Sequence, residues 1–447
     1  MNRKYKSVKM LLMGILIASL LFSACVSSET PTEEVAPTEA MEEAEPTEAA
    51  EEVEEEEVEP TEAEEEAQDP DVIKIGALYP LTGPDAGWAG EPYIKSHQFA
   101  IDKINEQGGI ECLGGANLEL VRGDTQSKAE FAVSEMERLI TEENVVAVMG
   151  SVLSGSTLPA SEVAERYEVP YIVPNALDGT ITSRGLDYVF QTVSTLQEWG
   201  QNDVEWAVEN GAETAVITVP NITFGEEVQH TWESAVEESG MELLGNFTYE
   251  ANTSDFTSTI LRVKDLDPDV WFLLGNAETP TLVKQTKEQG YWPNYGIITL
   301  GSGFATSVFL EQTGADLVEG IIFTMDFAPV SNLDVSDELL TNFKEYTGQD
   351  LGGTYNTTYA STWLLADALE ETCSENPQEL TDTLKNTTFE EGEWNFQWPE
   401  ASFAENGRLE QAATVIGQWQ DGQMVAIWPE DLAGGDPIWP VPHWDAR

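Results

Sequence analysis

The chain has 447 residues, of which 82 are acidic and only 20 are basic, so its formal net charge is -62 at pH 7. This balance excludes a basic footprint for nucleic acid and does not favour charge-driven binding to an anionic lipid surface. Beyond residue 70, the 62 acidic and 16 basic residues leave a net charge of -46, which points to a habitat of high salt or low pH.

The first 25 residues have the order of a secretory signal peptide. Four basic residues precede the apolar run MLLMGILIASLLF, which is too short to read as a spanning helix. The segment ends in SAC and resembles a bacterial lipoprotein signal, which implies that Cys25 becomes the lipidated first residue. Phe22 departs from that pattern, because an aliphatic residue is commoner there. An ordinary cleaved signal is the alternative.

Residues 26–70 carry 20 acidic residues and no Lys or Arg, and the triplet PTE recurs four times. Such a segment buries too little apolar surface to offset the entropy lost on ordering, and its charges repel one another. We therefore predict a disordered, extended acidic tether. A segment that binds a partner is the alternative.

From residue 71, short β-rich runs alternate with helical patterns. The strands are VIKIGALYPL, ANLELVRGD, VVAVMG and VPYIVPN, and the helices between them are PYIKSHQFAIDKINEQGG, KAEFAVSEMERLITEEN and LPASEVAERY. Strands and helices that alternate at this spacing predict a parallel sheet covered on both faces. The same alternation starts again at TAVITVPN and continues to YGIITLG, which predicts a second lobe of similar construction.

The C-terminal third holds one long helical pattern, YASTWLLADALEETC, followed by Trp-rich segments that predict a hairpin rather than a third lobe. We expect the chain to cross between lobes near 191–197, 320–329 and 388–396. The predicted organisation is a first lobe of 71–192 plus 325–390, a second lobe of 193–324 plus 391–430, and a C-terminal tail of 431–447.

Catalytic and metal-binding patterns are missing. The three histidines are scattered, and the sequence has no G-x-S-x-G elbow, Walker lysine or dinucleotide fingerprint. We therefore predict no catalytic residues, no metal and no cofactor, and an enzyme is improbable. With Cys25 lipidated, Cys112 and Cys373 form an even pair in an exported protein, so a disulfide is possible and two free thiols are the alternative.

One serine-rich loop, residues 150–157, joins the strand VVAVM to a helix expected to begin near Leu158 and Pro159. Free N–H groups, hydroxyls and the positive end of the helix dipole at such a place form a site for a carboxylate or a phosphate. Because no Lys or Arg stands nearby in sequence, a carboxylate is favoured. A simple helix cap at Ser156 or Thr157 is the alternative.

Four segments, IKIGALYPLTGPDAGWAG, AIDKINEQGGI, GSVLSGSTLPASEVAE and VPYIVPNA, together resemble the branched-chain amino-acid-binding family of solute receptors for ABC importers. The resemblance covers about residues 72 to 431. It implies the type I periplasmic-binding-protein fold, in which two doubly wound lobes are joined by three crossings. It also implies that a small ligand is enclosed between the lobes by hinge closure.

The resemblance also implies ligand-binding positions. Ser154 matches a serine that holds the ligand carboxylate, whereas Leu177 and Ser302 depart from the family pattern. Ser302 stands where amino-acid binders often have an acid that pairs with the ligand ammonium, so Glu278 or another acid would have to replace it. The full predicted set is Trp88, Ser154, Gly155, Ser156, Thr157, Asn175, Ala176, Leu177, Phe224, Asn276 and Ser302.

The resemblance and the signal segment together predict an extracytoplasmic, lipid-anchored receptor that passes a small carboxylate, an amino acid or a relative of one, to an ABC importer permease. Contact with the membrane would be through the N-terminal lipid only. A receptor for an amide, a urea or an aromatic acid is one alternative. A ligand-sensing subunit of a signalling system is another, because the same fold serves both.

Overall fold

The computed structural model describes residues 72–446 except 252, 276–277, 301–302 and 332–334. The predictions for the signal segment, for lipidation of Cys25 and for the acidic tether therefore lie outside the described residues. In the part that is described, no helix is both long enough and apolar enough to cross a membrane.

The first lobe is built on a five-stranded sheet in which every pair of neighbouring strands is parallel. The strand order is β2-β1-β3-β4-β5. The strands are β1 (Val72–Tyr79), β2 (Asn117–Asp124), β3 (Ala147–Gly150), β4 (Tyr171–Val173) and β5 (Val189–Gln191). The helices are α1 (Ala86–Ala89), α2 (Glu91–Glu106), α3 (Ala129–Thr141), α4 (Ser154–Tyr167) and α5 (Thr180–Ser183), and later α12 (Asp337–Thr347), α13 (Tyr355–Thr372) and α14 (Pro377–Asn386).

Helices cover both faces of this sheet. Alternate residues of a strand point to opposite sides, and here the residues on both sides are apolar and need cover. In β4, Ile172 joins the core cluster formed with α2, α12 and α13. Tyr171 and Val173, its neighbours in the strand, join a separate cluster formed with α3 and α4. The strands are therefore apolar at successive positions, as the run VPYIVP predicts.

The second lobe is built on a seven-stranded sheet with the order β12-β11-β10-β9-β8-β6-β7. The strands are β6 (Thr214–Pro220), β7 (Glu242–Tyr249), β8 (Val270–Leu273), β9 (Gly296–Leu300), β10 (Ile322–Met325), β11 (Val415–Gln420) and β12 (Gln423–Trp428). The helices are α6 (Leu196–Glu209), α7 (Thr223–Ser239), α8 (Thr257–Leu266), α9 (Thr279–Glu288), α10 (Ser307–Thr313) and α11 (Ala315–Val318).

The strands from β6 to β10 pair in parallel, and every residue of β8, β9 and β10 is buried. Burial on both faces again requires helices on both sides of the sheet. At one end of the sheet, β11 and β12 form an antiparallel hairpin in which β12 is the edge strand. Its two-residue turn, Asp421 and Gly422, has positive φ at both positions, 51° and 74°, as a type I′ turn requires. The prediction of two α/β lobes is confirmed. The predicted C-terminal hairpin lies within VIGQWQDGQMVAIWP, whereas EWNFQW forms no strand.

The chain passes between the two lobes three times. Its side chains change from the first core to the second between Phe190 and Leu196, and they change back between Met325 and Phe327. The aromatic residues from Phe389 to Phe403 still pack in the first core, as does Leu409, so the third crossing follows residue 409. This differs from the expected crossing at 388–396.

The difference has a physical cause. The Trp and Phe side chains of EWNFQW bury apolar area against the first core, and nothing in their spacing says which lobe they cover. The expected tail, 431–447, likewise packs against the second core through Val441 and Trp444.

Hydrogen bonds tie the three crossings together. The guanidinium of Arg408 pairs with the carboxylate of Glu198, joining the third crossing to the first. The hydroxyl of Ser194 donates to the carboxylate of Asp326, joining the first to the second. The side-chain amide of Gln397 donates to the backbone carbonyl of Asp326 at 2.9 Å. The hinge is therefore a connected polar cluster rather than three separate linkers.

A disulfide lies on the first lobe. It joins Cys112, in the short 3₁₀ turn Glu111–Leu113, to Cys373 directly after α13, with a Cα–Cα distance of 5.5 Å. The two cysteines are 261 residues apart in sequence. Of the two alternatives left open by the sequence, the bonded pair is the one in the structure.

Candidate functional site

The serine-rich loop lies at the carboxyl edge of the first sheet, between β3 and α4. The helix begins at Ser154, because Leu153 before it is extended (φ -84, ψ 109). This corrects the expected start near Leu158 and Pro159. Pro159 instead lies inside the helix, where its missing N–H withdraws one bond from the carbonyl of Gly155. Since Gly155 is exposed, water can satisfy that carbonyl.

The start of α4 offers free donors. The amides of Ser156 and Thr157 already donate to the carbonyl of Leu153, at 2.9 and 3.0 Å. The amides of Ser154 and Gly155 precede them, so they have no partner within the helix. The first turn contains no acidic residue and no side chain caps it. The positive end of a 14-residue helix is therefore left for an anion.

The hydroxyls near this helix start differ in availability. Thr157 is fully buried and its hydroxyl donates back to the carbonyl of Leu153 at 3.1 Å. Neither Ser156 nor Thr157 is the N-cap, which is Leu153. Ser151 is also fully buried, and its hydroxyl has no hydrogen-bond partner in the described part of the chain. An unpaired buried hydroxyl that precedes the free amides by three residues in the chain makes this loop a candidate site for an acceptor.

Asn175, which follows β4, is held in an internal network. Its Oδ1 accepts from the hydroxyl of Tyr79 at 2.7 Å. Its Nδ2 donates to the carbonyl of Thr354 at 2.8 Å and to the hydroxyl of Thr358 at 2.9 Å. The residue is 2 % exposed, and both its Oδ1 and its Nδ2 are hydrogen-bonded to other residues of the protein. Asn175 therefore links β1, the loop after β4 and α13, and supports the site through these elements.

This network fixes the protonation of a buried histidine. The phenol of Tyr79 donates to Asn175, so the Nε2 of His97, at 3.0 Å from that oxygen, must be the donor. The Nδ1 of His97 is then an acceptor 2.8 Å from the hydroxyl of Thr362, whose one proton is shared with the carbonyl of Thr358. Burial lowers the pKa of His97 to about 3, so the ring is neutral and structural.

The remaining predicted residues of the first lobe lie in different surroundings. Ala176 is fully buried, and its carbonyl accepts from the amide of Gln191 at 2.7 Å. Trp88, on the short helix α1, is 47 % exposed, and its indole N–H donates to Asp85 at 3.2 Å. Leu177 is half-buried and packs against the core of the second lobe.

On the second lobe, Phe224 lies in the first turn of α7 and also packs, half-buried, against the second core. Asn276 and Ser302 lie outside the described residues. Glu278, considered as a replacement acid, is only 8 % exposed and accepts a hydrogen bond from the hydroxyl of Tyr249 at 2.9 Å. It precedes α9 directly after the loop that follows β8.

The structure brings in residues that the sequence did not single out. Ser151 stood within the serine-rich loop, but its burial could not be read from spacing. Tyr79 and His97 stood in quoted segments, and their partners Thr358 and Thr362 lie far along the chain on α13. Only an argument about tertiary contacts could have joined them. Among the described residues, no group of three or more His, Cys, Asp or Glu is placed to hold a metal ion.

Comparisons with known proteins bear on the family and the fold. A family model described as "Periplasmic binding protein" matches residues 72–423. Leu/Ile/Val-binding protein homolog 7 of Brucella abortus is 28% identical over 375 residues, which are 81% of this chain and 92% of that protein. Homolog 8 of the same organism is 27% identical over 376 residues, covering 81% of this chain and 91% of that protein.

Solved structures show the same fold. The substrate-binding protein LivJ of Streptococcus pneumoniae, in complex with isoleucine, has a TM-score of 0.67 and 24% identity, covering 79% of this chain and 98% of that chain. An ABC transporter substrate-binding protein of Sphaerobacter thermophilus has a TM-score of 0.69 and 21% identity, covering 82% and 99%. A solute-binding protein of Rhodopseudomonas palustris, in complex with 3,4-dihydroxybenzoic acid, has a TM-score of 0.66 and 22% identity, covering 79% and 95%.

Proposed function

The chain belongs to the periplasmic binding protein family, and we propose that it is the substrate-binding lipoprotein of an ABC importer. Its ligand would be an amino acid or a similar small carboxylate, bound between the two lobes and delivered to the importer's permease. The lipid at Cys25 would hold it to the outer face of the cell membrane, with the acidic segment 26–70 as a spacer. Binding would involve closure of the lobes and no covalent chemistry.

The observation that supports a carboxylate is the start of α4. Two free amides and the hydroxyl of Ser154 lie at the positive end of α4, and the buried, unpaired hydroxyl of Ser151 comes three residues before the helix in the chain. Among the described residues, no Lys or Arg forms an ion pair or a hydrogen bond with residues 150–157. A singly charged carboxylate can be held by N–H and O–H donors alone, whereas a phosphate usually recruits a cation.

Substitutions at Ser154 separate the contribution of its backbone amide to ligand binding from the contribution of its hydroxyl. Ser154 is the first residue of the helix and follows an extended residue, so proline fits there and removes the amide N–H. We expect Ser154→Pro to weaken binding of a carboxylate ligand by roughly 10-fold to 100-fold, since a charge-assisted hydrogen bond contributes about 1.5–3 kcal/mol. Ser154→Ala is the matched control, because it removes only the hydroxyl.

The measurement is a thermal-shift screen followed by calorimetric titration of each hit. A bound ligand raises the melting temperature by mass action. The probes are the standard amino acids, simple amides, urea and aromatic acids. The site assignment fails if carboxylates bind and neither Ser154→Pro nor Ser154→Ala weakens them. If the protein instead prefers uncharged amides, the proposal that its ligand carries a carboxylate is wrong.

A further inference from the structure

One buried tyrosine stands next to the strand that leads into the serine-rich loop. Tyr171 is the first residue of β4 and pairs in register with Val148 of β3, shortly before that strand ends at Gly150. The amide of Val148 donates to the carbonyl of Pro170 at 2.9 Å, which fixes this register. Tyr171 is fully buried, and its hydroxyl has no hydrogen-bond partner among the described residues.

The side chain of Tyr171 points to the face of the sheet that α4 covers. It belongs to the same core cluster as Val148 and as Ala160 and Val163 of α4. The next strand residue, Ile172, belongs to the cluster on the opposite face. The phenol therefore extends from β4 towards the helix whose start carries the candidate anion site.

Two groups of the serine-rich loop lie near the phenol oxygen. Burial raises the pKa of Tyr171, and the nearby hydroxyl of Thr157 and amide of Ser151 lower it in part. Both residues are fully buried. The hydroxyl of Thr157 already donates to the carbonyl of Leu153 at 3.1 Å, so it can offer the phenol only an acceptor. The amide of Ser151 can offer only a donor.

Packing accounts for the ring of Tyr171 but not for its oxygen. A buried hydroxyl without a partner lowers the free energy of unfolding, because it has lost its hydrogen bonds to water. Phenylalanine would fill nearly the same volume in this cluster without that cost. A buried polar group that stability does not explain is a candidate for a role in function.

We propose that Tyr171 is a positioning residue that fixes the start of α4 for the ligand carboxylate. When the carboxylate occupies the free amides of Ser154 and Gly155, the phenol accepts a hydrogen bond from the amide of Ser151 and donates one to the hydroxyl oxygen of Thr157. These two bonds hold both ends of the loop, so the free amides keep one orientation. The inference rests on the proposed function and adds a residue that does not touch the ligand.

The test removes the phenol oxygen and leaves the ring. Tyr171→Phe is the variant. Tyr291→Phe is the matched control, because Tyr291 is also buried with an unpaired hydroxyl but belongs to the second core. The probes are L-leucine, L-isoleucine and 3,4-dihydroxybenzoate, each titrated calorimetrically beside its primary amide. A residue that orients amides for a carboxylate acts on the acid, whereas general loosening of the cleft weakens acid and amide alike.

We expect Tyr171→Phe to weaken binding of the tightest carboxylate by about 3-fold to 10-fold and to change binding of its amide by less than about 2-fold. The melting temperature without ligand should stay within about 2 °C of the wild type or rise, because an unpaired polar group is lost. Tyr291→Phe should leave both affinities within about 2-fold of the wild type.

A second variant and a second measurement examine the same contact. Thr157→Val removes the acceptor of the phenol, so the double variant with Tyr171→Phe should bind the carboxylate no more weakly than the weaker single variant. Amide hydrogen exchange follows residues 151–157 directly. With a saturating carboxylate this segment should exchange faster in Tyr171→Phe than in the wild type, and without the carboxylate the two proteins should exchange alike.

Two results would overturn the role of Tyr171 while the proposed function stands. In one, a carboxylate binds and Tyr171→Phe leaves its affinity unchanged. In the other, Tyr171→Phe weakens acid and amide equally, which makes the hydroxyl merely structural. If no amino acid and no other carboxylate binds the wild-type protein, the proposed function and this inference both fail. Circular dichroism of each variant shows that it is folded before titration.

Discussion

At the scale of single residues, Asp326 is a buried carboxyl at the hinge whose second oxygen has no partner. It is 3 % exposed, its Oδ1 accepts from Ser194, and its Oδ2 is unpaired among the described residues. Burial raises its pKa from 3.8 to about 7, although hydrogen bonds from Ser194 and Trp199 lower it in part. The hinge thus favours the protonated form of this side chain.

The pH dependence follows from that direction. The pKa of Asp326 is higher in the folded protein than in the unfolded chain. The contribution of Asp326 to the unfolding free energy is therefore complete below about pH 4 and is lost as the pH rises through about 7. We expect Asp326→Asn to remove this loss and to raise the unfolding free energy at pH 8 by a few kcal/mol, up to about 4, relative to the wild type. Urea unfolding at pH 4, 6 and 8 without ligand measures it.

The exposed variant Asp436→Asn is the control for a general change of charge. Asp203, a buried residue of α6 whose pKa is also raised to about 7 by burial, remains in the wild type and in Asp326→Asn. Some pH dependence should therefore persist in Asp326→Asn. Parallel wild-type and Asp326→Asn curves from pH 4 to 8 would contradict the assignment.

At the scale of elements, the turn from β3 into α4 depends on one glycine. Gly150 has φ +118, and a Cβ at this position would lie 2.4 Å from the carbonyl oxygen of Leu78 and 3.0 Å from the ring of Tyr79. Both neighbours belong to β1, the strand that pairs with β3. The start of α4 is therefore held close to β1 only because residue 150 lacks a side chain.

We predict that Gly150→Ala destabilises the protein by about 2–4 kcal/mol through backbone strain and overpacking. Gly155→Ala is the matched control, because a Cβ there meets nothing within 4 Å. Within α4 the extra methyl should be neutral or stabilising by up to about 1 kcal/mol. Chemical unfolding of both variants tests this, and equal stabilities would refute the packing argument.

The sequence predicts most of these elements for identifiable reasons. Alternating apolar runs and helical patterns are sufficient for two α/β lobes, and the Trp-rich C-terminal segments predict the hairpin. The start of α4 was misplaced because both Ser154 and Pro159 suit a first helical turn. Extended backbone at Leu153 decides between them, and a single sequence does not reveal it.

The candidate site was less predictable than the fold. The family resemblance led to the serine-rich loop, but not to the internal role of Asn175. Its partners Thr354 and Thr358, at the start of α13, lie 179 and 183 residues later in the chain, with most of the second lobe between them. The binding roles of Asn276 and Ser302 stay predictions. Local spacing encodes helices and strands, whereas a binding site depends on which strand ends the tertiary fold brings together.

At the scale of the whole molecule, the net charge of -46 on residues 71–447 is a large repulsive term. Salt screens interactions between exposed charges, with a Debye length of about 10 Å at 0.1 M and about 3 Å at 1 M. We expect the melting temperature to rise by several degrees between roughly 50 mM and 1 M KCl. An uncharged osmolyte at equal osmolality is the control, and a melting temperature that does not rise with salt would contradict the prediction.

The disulfide between Cys112 and Cys373 also has a topological consequence. The covalent ring that it closes contains every residue from β6 to β10, so most of the second lobe is an insertion within a loop of the first. The hairpin of β11 and β12 lies outside the ring, because it follows Cys373 in the chain. It joins the seven-stranded sheet of the second lobe from the C-terminal side of the disulfide. Opening and closing of the cleft can therefore never separate the two chain segments that make the first lobe.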